Sequence, residues 1–239
     1  MTAIRTAMAM AAGLGTRMRP LTDDRPKALV ELAGRPLIDW TLDRFAAAGV
    51  ETAVVNVHHF ADRMEAHLAD RRAPAVKISD ERAQLMDTGG GLVKAAPLLG
   101  ADPVFVSNTD GQWIDQGAPE LDRLAAAFDA ERMDFLLLLA PLEQTLGYRG
   151  AGDFRLAEDG RLVRRGERAN APYAYAGTQV MHPRVLAGRA AEPFSTNRLW
   201  DAALVEGRAF GLVMNAFWMH VGDPQARSEA ENRLRSNPE

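Results

Sequence analysis

Short apolar segments alternate with amphipathic segments over the first 140 residues, and this alternation constrains the fold more than any other feature. Segments of this length suit strands better than buried helices. Near-continuous apolar strands separated by helices are typical of a parallel sheet covered on both faces. The sequence therefore predicts an α/β fold with a Rossmann-like, mixed but mainly parallel sheet flanked by helices. The strands are predicted over residues 7–11, 52–59, 75–79, 103–108 and 134–140.

Helical periodicity fills the intervals between these strands. In the first interval Pro36 suits the first turn of a helix, and Gly49 suits the position just after its end. The apolar residues between them recur on one face, as expected for a helix packed on a sheet. Helices are predicted over residues 36–48, 61–68, 91–99 and 119–130.

Three loops follow predicted strands and contain unusual residues. They begin after Ala11, after Ser79 and after Asn108. Ligands of parallel sheets bind beyond the carboxyl ends of the strands. We therefore expect these three loops to matter for ligand binding.

The pattern changes after Gly147. An Asp159-Gly160 pair between two short apolar runs predicts a β-hairpin. Asp223 is expected to cap a last helix that has Pro224 in its first turn. This part is predicted to form a small mixed lobe beside the sheet, with further strand-like segments at residues 173–183 and 210–223.

Composition excludes several classes of protein. A net charge of −4 argues against a nucleic-acid surface, which usually needs a basic face. The absence of cysteine removes disulfides, thiol nucleophiles and cysteine-ligated zinc. The strongly apolar run at residues 135–142 is too short to span a bilayer, so no membrane partner is expected. The apolar start of the chain is interpreted as a buried strand rather than a signal peptide, which favours a cytoplasmic protein.

The loop after the first strand is suited to an anion. Gly13 and Gly15 have no Cβ, so backbone amides can approach a phosphate closely. Arg17 can bond phosphate oxygens in pairs, Lys27 adds a point charge, and Thr16 supplies a hydroxyl. For the glycines taken alone, a plain structural turn is the competing interpretation.

Residues 11–38, "AAGLGTRMRPLTDDRPKALVELAGRPLI", match a longer signature. They resemble, almost position for position, the start of the sugar-1-phosphate nucleotidylyltransferases. The resemblance continues in "DTGGGLVKA", "FVSNTDG", "GDFRL" and "FWMHVGDPQARSEAE", so it covers nearly the whole chain. The short length, "DTGGG" and "RGAGDFRL" most resemble the branch that uses N-acetylmuramic acid 1-phosphate and UTP. The mannose-1-phosphate guanylyltransferase branch is similar as well.

The resemblance implies a single nucleotidyltransferase domain over residues 1–239. Its nucleotide-binding part covers about residues 1–140, its sugar-binding part about 141–222, and its C-terminal helix 223–239. The expected partners are a nucleoside triphosphate and a sugar 1-phosphate, which react to a nucleotide-sugar and pyrophosphate. The oligomeric state is left open.

Four other functions remain as alternatives at this point. Two are enzymes with other substrates: a mannose-1-phosphate guanylyltransferase and a cytidylyltransferase acting on a phosphorylated alcohol. A third is a nucleotide-sensing pseudoenzyme. The fourth, an NAD-dependent dehydrogenase, is disfavoured because Met18 occupies the third glycine position of the dinucleotide fingerprint.

The resemblance also assigns roles to residues. Arg17, Lys27 and Asp110 fall at catalytic positions, where cations hold phosphates and the aspartate holds a metal. Solvated loop charges and a turn aspartate are the structural alternatives for these three. Glu81 is expected to accept a hydrogen bond from the base. The nucleotide-binding set is Ala11, Ala12, Gly13, Gly15, Thr16, Arg17, Glu81, Gly89 and Gly90.

The sugar is expected to contact residues of the second half, together with one residue near the metal aspartate. Arg168 stands where many relatives have lysine, and Asp153 is expected either to contact the sugar or to orient its loop. The substrate-binding set is Asn108, Gly150, Asp153, Glu167, Tyr175 and Gly177.

Mg²⁺ is the expected cofactor, with Mn²⁺ or Co²⁺ as alternatives. Asp110 is the first metal ligand, and His220 stands where relatives usually have a second metal-binding aspartate. Imidazole suits Mn²⁺, Co²⁺ or Zn²⁺ better than Mg²⁺. We favour His220 as the second ligand, directly or through water. Asp223, or Asp110 alone with phosphates and waters, are the alternatives.

Overall fold

A computed structural model describes residues 3–236 of the chain. The strands, in chain order, are β1 Thr6–Met10, β2 Glu31–Leu32, β3 Arg35–Pro36, β4 Thr52–Val57, β5 Ala75–Asp80, β6 Val104–Asn108, β7 Gly111–Asp115, β8 Phe135–Pro141, β9 Thr145–Leu146, β10 Phe154–Leu156, β11 Leu162–Arg164, β12 Tyr173–Met181, β13 Ala209–Val213 and β14 Ala216–His220. The helices are α1 Leu37–Ala47, α2 Ala61–Leu68, α3 Asp87–Leu99, α4 Glu120–Ala127, α5 Asn197–Val205 and α6 Pro224–Ser236.

The described part of the chain contains a nine-stranded main sheet. Strands β6, β1, β4 and β5 are mutually parallel neighbours. Strand β12 is antiparallel to both β6 and β8, while β13 pairs in parallel with β8. The sheet is mixed, with a parallel half that carries the first predicted strands, so the predicted fold class is confirmed.

Side chains of the parallel strands alternate between two apolar layers. On β1, Ala7 and Ala9 belong to one buried cluster and Met8 to another, and on β4 Val55 and Val54 divide in the same way. All five side chains are fully buried. The strands therefore lack the alternation of apolar and polar residues seen in half-exposed sheets, because both faces are covered.

Helix α3 begins at Asp87, earlier than the predicted start at residue 91. The run Gly89–Gly91 thus lies within the helix, although each glycine disfavours a helix by about 1 kcal/mol relative to alanine. Packing explains this exception. A Cβ added to Gly89 would lie 2.4 Å from the ring of Phe194, and one added to Gly90 would lie 2.1 Å from the carbonyl oxygen of Glu192.

The region from residue 210 to 223 was predicted as one strand-like segment and instead forms two strands, β13 and β14. Met214 and Asn215 separate them. The first joins the main sheet. The second lies in a three-stranded sheet of order β7-β14-β9, whose strand β7 was not predicted from the sequence. The chain divides here because the two strands pair with partners in different sheets.

Two local features after Gly147 agree with the predictions. Strands β10 and β11 form an antiparallel hairpin around Asp159-Gly160, with a positive φ of 84° at Gly160. Asp223 caps α6 through a 2.8 Å hydrogen bond that its carboxylate accepts from the Ala226 amide. Among residues 3–236, no helix is both long and apolar enough to cross a membrane.

Candidate active site

The carboxyl ends of β1, β5 and β6 open into a cavity of about 290 Å³. Met10 at the end of β1 pairs with Asn108 at the end of β6, which brings the first and third predicted loops together. This first cavity is lined by Met10, Ala11, Ala12, Gly13, Lys27, Ala28, Asn56, Glu81, Leu85, Asp87, Thr88, Asn108, Thr109 and Asp110. All three predicted loops therefore contribute to one site.

A buried Asn56–Glu81 pair connects two of these loops. Asn56 donates a 2.8 Å hydrogen bond to Glu81 and accepts one of 2.7 Å from the Ala11 amide. The other carboxylate oxygen of Glu81 accepts a bond from the Met86 amide at 3.1 Å. Glu81 has no exposed surface, so its described bonds hold the cavity wall in shape. The sequence prediction that Glu81 accepts a hydrogen bond from a base remains a prediction.

Asp110 lies between two basic side chains. Its Oδ2 is 2.7 Å from Lys27 Nζ and 3.4 Å from His220 Nε2. Burial by itself raises the pKa of Asp110, but the Lys27 ammonium and the His220 hydrogen bond outweigh it, and the pKa stays well below its ordinary value. The carboxylate is therefore ionised at neutral pH.

Antiparallel pairing of β14 with β7 places His220 beside Asp110. His220 pairs with Gly111, the residue that follows Asp110. The imidazole stacks on the ring of Trp218 with 5.8 Å between centroids. A Cβ added to Gly222 would lie 2.7 Å from the His220 ring, so a larger residue at position 222 would collide with the imidazole.

The donor set around Asp110 fits a divalent metal that is completed by other ligands. Asp110 Oδ1 accepts no hydrogen bond from residues 3–236, and His220 adds an imidazole nitrogen near the same carboxylate. His220 Nε2 lies 3.4 Å from Asp110 Oδ2, so both side chains could approach one ion. Within residues 3–236 no group of three or more acidic, histidine or cysteine side chains could hold an ion alone. Asp223 serves as the cap of α6.

A second cavity of about 330 Å³ adjoins the first. The two share Met10, Asp87, Thr88 and Asn108. The walls of the second cavity come from β10, β11, β12 and the start of α5, and its remaining lining residues are Val106, Asp153, Phe154, Arg164, Tyr175, Gln179, Ser195, Thr196, Asn197 and Trp200. The paired cavities could hold two joined ligands.

Three of the predicted sugar-binding residues, Asn108, Asp153 and Tyr175, line the second cavity. Asp153 accepts hydrogen bonds from the Tyr175 amide at 2.9 Å and from the Tyr148 hydroxyl at 3.4 Å, so it orients its loop. Burial raises the pKa of Tyr175, and the nearby Asp110 raises it further. Tyr175 therefore remains a neutral hydroxyl.

The other predicted sugar-binding residues lie outside both cavities. Gly177 has a φ of 85°, which favours glycine. A Cβ added at this position would lie 3.3 Å from the Asn108 side chain. Gly150 packs under the ring of Tyr148. Glu167 is exposed in the loop after β11. Their predicted sugar contacts remain predictions.

Several predicted nucleotide-binding residues also lie outside the first cavity. Gly15 has a φ of 64°, and its carbonyl accepts a 2.9 Å bond from Thr22. Thr16 and Arg17 are exposed in the following turn. The amides of Gly89 and Gly90 donate hydrogen bonds to the Phe194 carbonyl at 2.8 and 3.1 Å, so both amides already have an acceptor within the protein.

Sequence reasoning missed polar residues that the fold brings into the cavities. Asn56 could have been found as a lone amide in an otherwise apolar strand. Trp200 also lines the second cavity, and its indole donates a 2.8 Å bond to Gln179 at the cavity wall. Arg164 and Asn197 gave no signal, because their approach depends on the packing of a hairpin against α5.

A carboxylate between two basic groups, next to a glycine loop at the edge of a mixed sheet, suits phosphate chemistry. Residues 7–194 match the family model described as the MobA-like NTP transferase domain. This match covers most of the chain, so the chain belongs to that family and is a nucleotidyltransferase.

Two individual proteins are similar to this chain over nearly its whole length. The chain is 51% identical over 234 residues to N-acetylmuramate alpha-1-phosphate uridylyltransferase of Caulobacter vibrioides, covering 96% of this chain and 97% of the relative. It is 31% identical to the protein of the same name in Neisseria meningitidis serogroup B, covering 94% and 96%. The predicted membership among the sugar-1-phosphate nucleotidylyltransferases is confirmed.

Solved structures agree on the fold. The structure of UDP-glucose pyrophosphorylase complexed with UDP-glucose superposes with a TM-score of 0.79 at 17% identity, covering 98% of this chain and 99% of that chain. At this identity the likeness shows the shared fold alone.

Proposed function

We propose that the protein transfers a uridylyl group from UTP to N-acetylmuramate 1-phosphate, giving UDP-N-acetylmuramate and pyrophosphate. The observation that carries the proposal is the pair of joined cavities that meet at Asn108, beside the Lys27–Asp110 pair. The two relatives that share the uridylyltransferase name support this choice of substrates. We expect the reaction in the cytoplasm, where UTP is available.

The first cavity suits the nucleotide. The amides of Ala12 and Gly13 donate to no acceptor within residues 3–236, so they are available to a ligand. The Asn56–Glu81 pair holds the Ala11 amide at the base of the same loop. A uracil against this wall would meet backbone groups, which can distinguish bases by their hydrogen-bonding edges.

The reaction needs orientation and charge neutralisation more than proton transfer. The attacking phosphate oxygen of the sugar is already anionic, so no general base is required. Lys27 lies between the glycine loop and Asp110, where it can hold phosphate oxygens of both substrates and reduce their repulsion. Arg17 is exposed on the turn that follows the glycine loop, and we propose that it binds the leaving pyrophosphate.

Asp110, with His220 directly or through water, would hold the divalent metal. When bound, Mg²⁺ would neutralise charge on the phosphates and orient them. Asp110 Oδ1 would be available to the metal, and Lys27 Nζ could turn from Oδ2 toward phosphate oxygens when the substrates bind. The flexible lysine side chain permits such an exchange.

Pyrophosphate release with a panel of nucleoside triphosphates and sugar 1-phosphates tests the proposal. We expect the highest kcat/KM for UTP with N-acetylmuramate 1-phosphate, and loss of turnover in Asp110→Asn. A higher kcat/KM for GTP with mannose 1-phosphate, or for CTP with a phosphorylated alcohol, would overturn the substrate assignment. Nucleotide binding without turnover of any pair would indicate a sensor.

A further inference from the structure

The second cavity contains a cation for which the reaction itself has no use. Arg164 is the only lysine or arginine among the residues that line this cavity in the described chain. It lies on β11, which β10 and β12 separate from β6, the strand that ends at the shared residue Asn108. A sugar whose 1-phosphate lies near Asn108 would therefore extend toward Arg164.

Aromatic rings hold the Arg164 guanidinium in place. Its central carbon lies 5.0 Å from the ring centroid of Phe154 and 5.7 Å from that of Trp200. Phe154 pairs with Arg164 across the hairpin and is fully buried. Because the guanidinium is stacked on two rings, the Arg164 side chain has few accessible rotamers. Binding an anion would therefore cost little additional side-chain entropy.

The protein partners of Arg164 leave it able to bind a ligand. Its Nε and Nη2 donate to a single Asp201 oxygen at 3.0 and 2.7 Å, and Nη2 also donates to the Asn197 backbone carbonyl at 3.4 Å. Nη1 donates to the Asn197 carboxamide oxygen at 2.8 Å. The Asp201 side chain is 61% exposed, so solvent screens its charge. One N–H of Nη1 has no acceptor among the described residues. The guanidinium is thus oriented by the protein without being fully hydrogen-bonded.

We propose that Arg164 binds the carboxylate of an acidic sugar 1-phosphate and determines the preference for it over a neutral sugar. The proposal rests on the proposed function. N-acetylmuramate differs from N-acetylglucosamine by a lactyl ether that ends in a carboxylate. A charge-assisted pair with guanidinium is the contact that distinguishes these two sugars chemically.

Sugar selectivity is the readout that separates recognition from a structural role. We compare kcat/KM for UTP with N-acetylmuramate 1-phosphate and with N-acetylglucosamine 1-phosphate in wild type, Arg164→Gln and Arg164→Lys. Loss of a hydrogen bond to a charged group predicts a fall of roughly 10- to 100-fold for the acidic sugar in Arg164→Gln. The neutral sugar should be affected far less. The loss should appear mainly as a raised KM, because the carboxylate is remote from the reacting phosphates.

Arg161→Gln is the matched control. Arg161 lies on the same hairpin, pairs with Asp159 outside the cavity, and its loss changes the net charge equally. We expect its selectivity to equal that of wild type. Arg164→Lys should recover part of the preference, because it keeps the positive charge but not the Nη1 N–H that Arg164 offers.

Two results would overturn the inference while leaving the proposed function intact: equal losses for both sugars in Arg164→Gln, or no loss for either sugar. A wild-type protein that does not use the acidic sugar would overturn the proposed function, and this inference with it.

Discussion

Stability and activity can be separated at the Lys27–Asp110 pair with the variants Lys27→Met, Asp110→Asn and their combination. The two charges are 2.7 Å apart, with side chains 14% and 21% exposed. At an effective dielectric constant of about 20, the gross attraction at this distance is about 6 kcal/mol. Desolvation offsets most of it. Each single variant leaves one charge partly buried without its partner, and we expect a loss of about 1–3 kcal/mol in the free energy of unfolding.

The double variant should lose less free energy of unfolding than the two single variants lose in total. We expect a coupling energy of about 1–2 kcal/mol, measured by urea denaturation. Each single variant should lower Tm by roughly 2–10 °C for a chain of this size. The coupling should persist at pH 5, because the pKa of Asp110 in the folded protein is lowered. A carboxyl whose pKa is lowered on folding stabilises the protein fully at pH values above its pKa in the unfolded chain, about 3.9. This stabilisation is lost only as the pH falls below that value.

Turnover should follow a different pattern from stability. We expect all three variants to lose at least about a hundredfold in pyrophosphate release, since each removes a group that acts on phosphates or metal. The exposed pair Arg5–Glu51 is the control, and its coupling should stay below about 1 kcal/mol. Near-normal activity in Asp110→Asn, or a coupling no larger than that of the exposed pair, would refute this reasoning.

Three further changes test other parts of the site. Arg17→Ala should lower kcat by roughly a hundredfold, about 3 kcal/mol, with little change in the sugar-phosphate KM; steady-state kinetics would contradict this if only that KM changed. His220→Asp should retain activity and shift the metal preference toward Mg²⁺, as measured by turnover with Mg²⁺, Mn²⁺ and Co²⁺; an unchanged preference would argue against His220 at the metal. Gly90→Ala should destabilise the fold by about 1–3 kcal/mol in urea denaturation, because its Cβ would lie 2.1 Å from the Glu192 carbonyl oxygen; a loss below about 0.5 kcal/mol would show that α3 can move at no cost.

Local sequence pattern was sufficient to predict several helices and strands. The predicted helix at residues 61–68 coincides with α2, and the predicted strand at 75–79 ends one residue before β5 does. These elements follow from hydrophobic periodicity, which neighbouring residues express within a few positions. Helix α3 departs from this rule, because close contact of its glycines with residues 192–194 overrides their low helix propensity.

By itself the sequence determined the mainly parallel sheet, the family, and the three loops that meet at the carboxyl ends of β1, β5 and β6. Each of these follows from features that a short stretch of sequence contains: the apolar pattern of a strand, the spacing of glycines, and the position at which a strand ends. Only the tertiary structure decided which side chains face Asp110 and which face the second cavity. His220 reaches Asp110 through the register of β14 on β7, a pairing between segments about a hundred residues apart. Arg164 reaches the cavity because its hairpin packs against α5 through Asn197 and Asp201. Such approaches depend on the packing of distant elements, which no periodicity within one segment encodes.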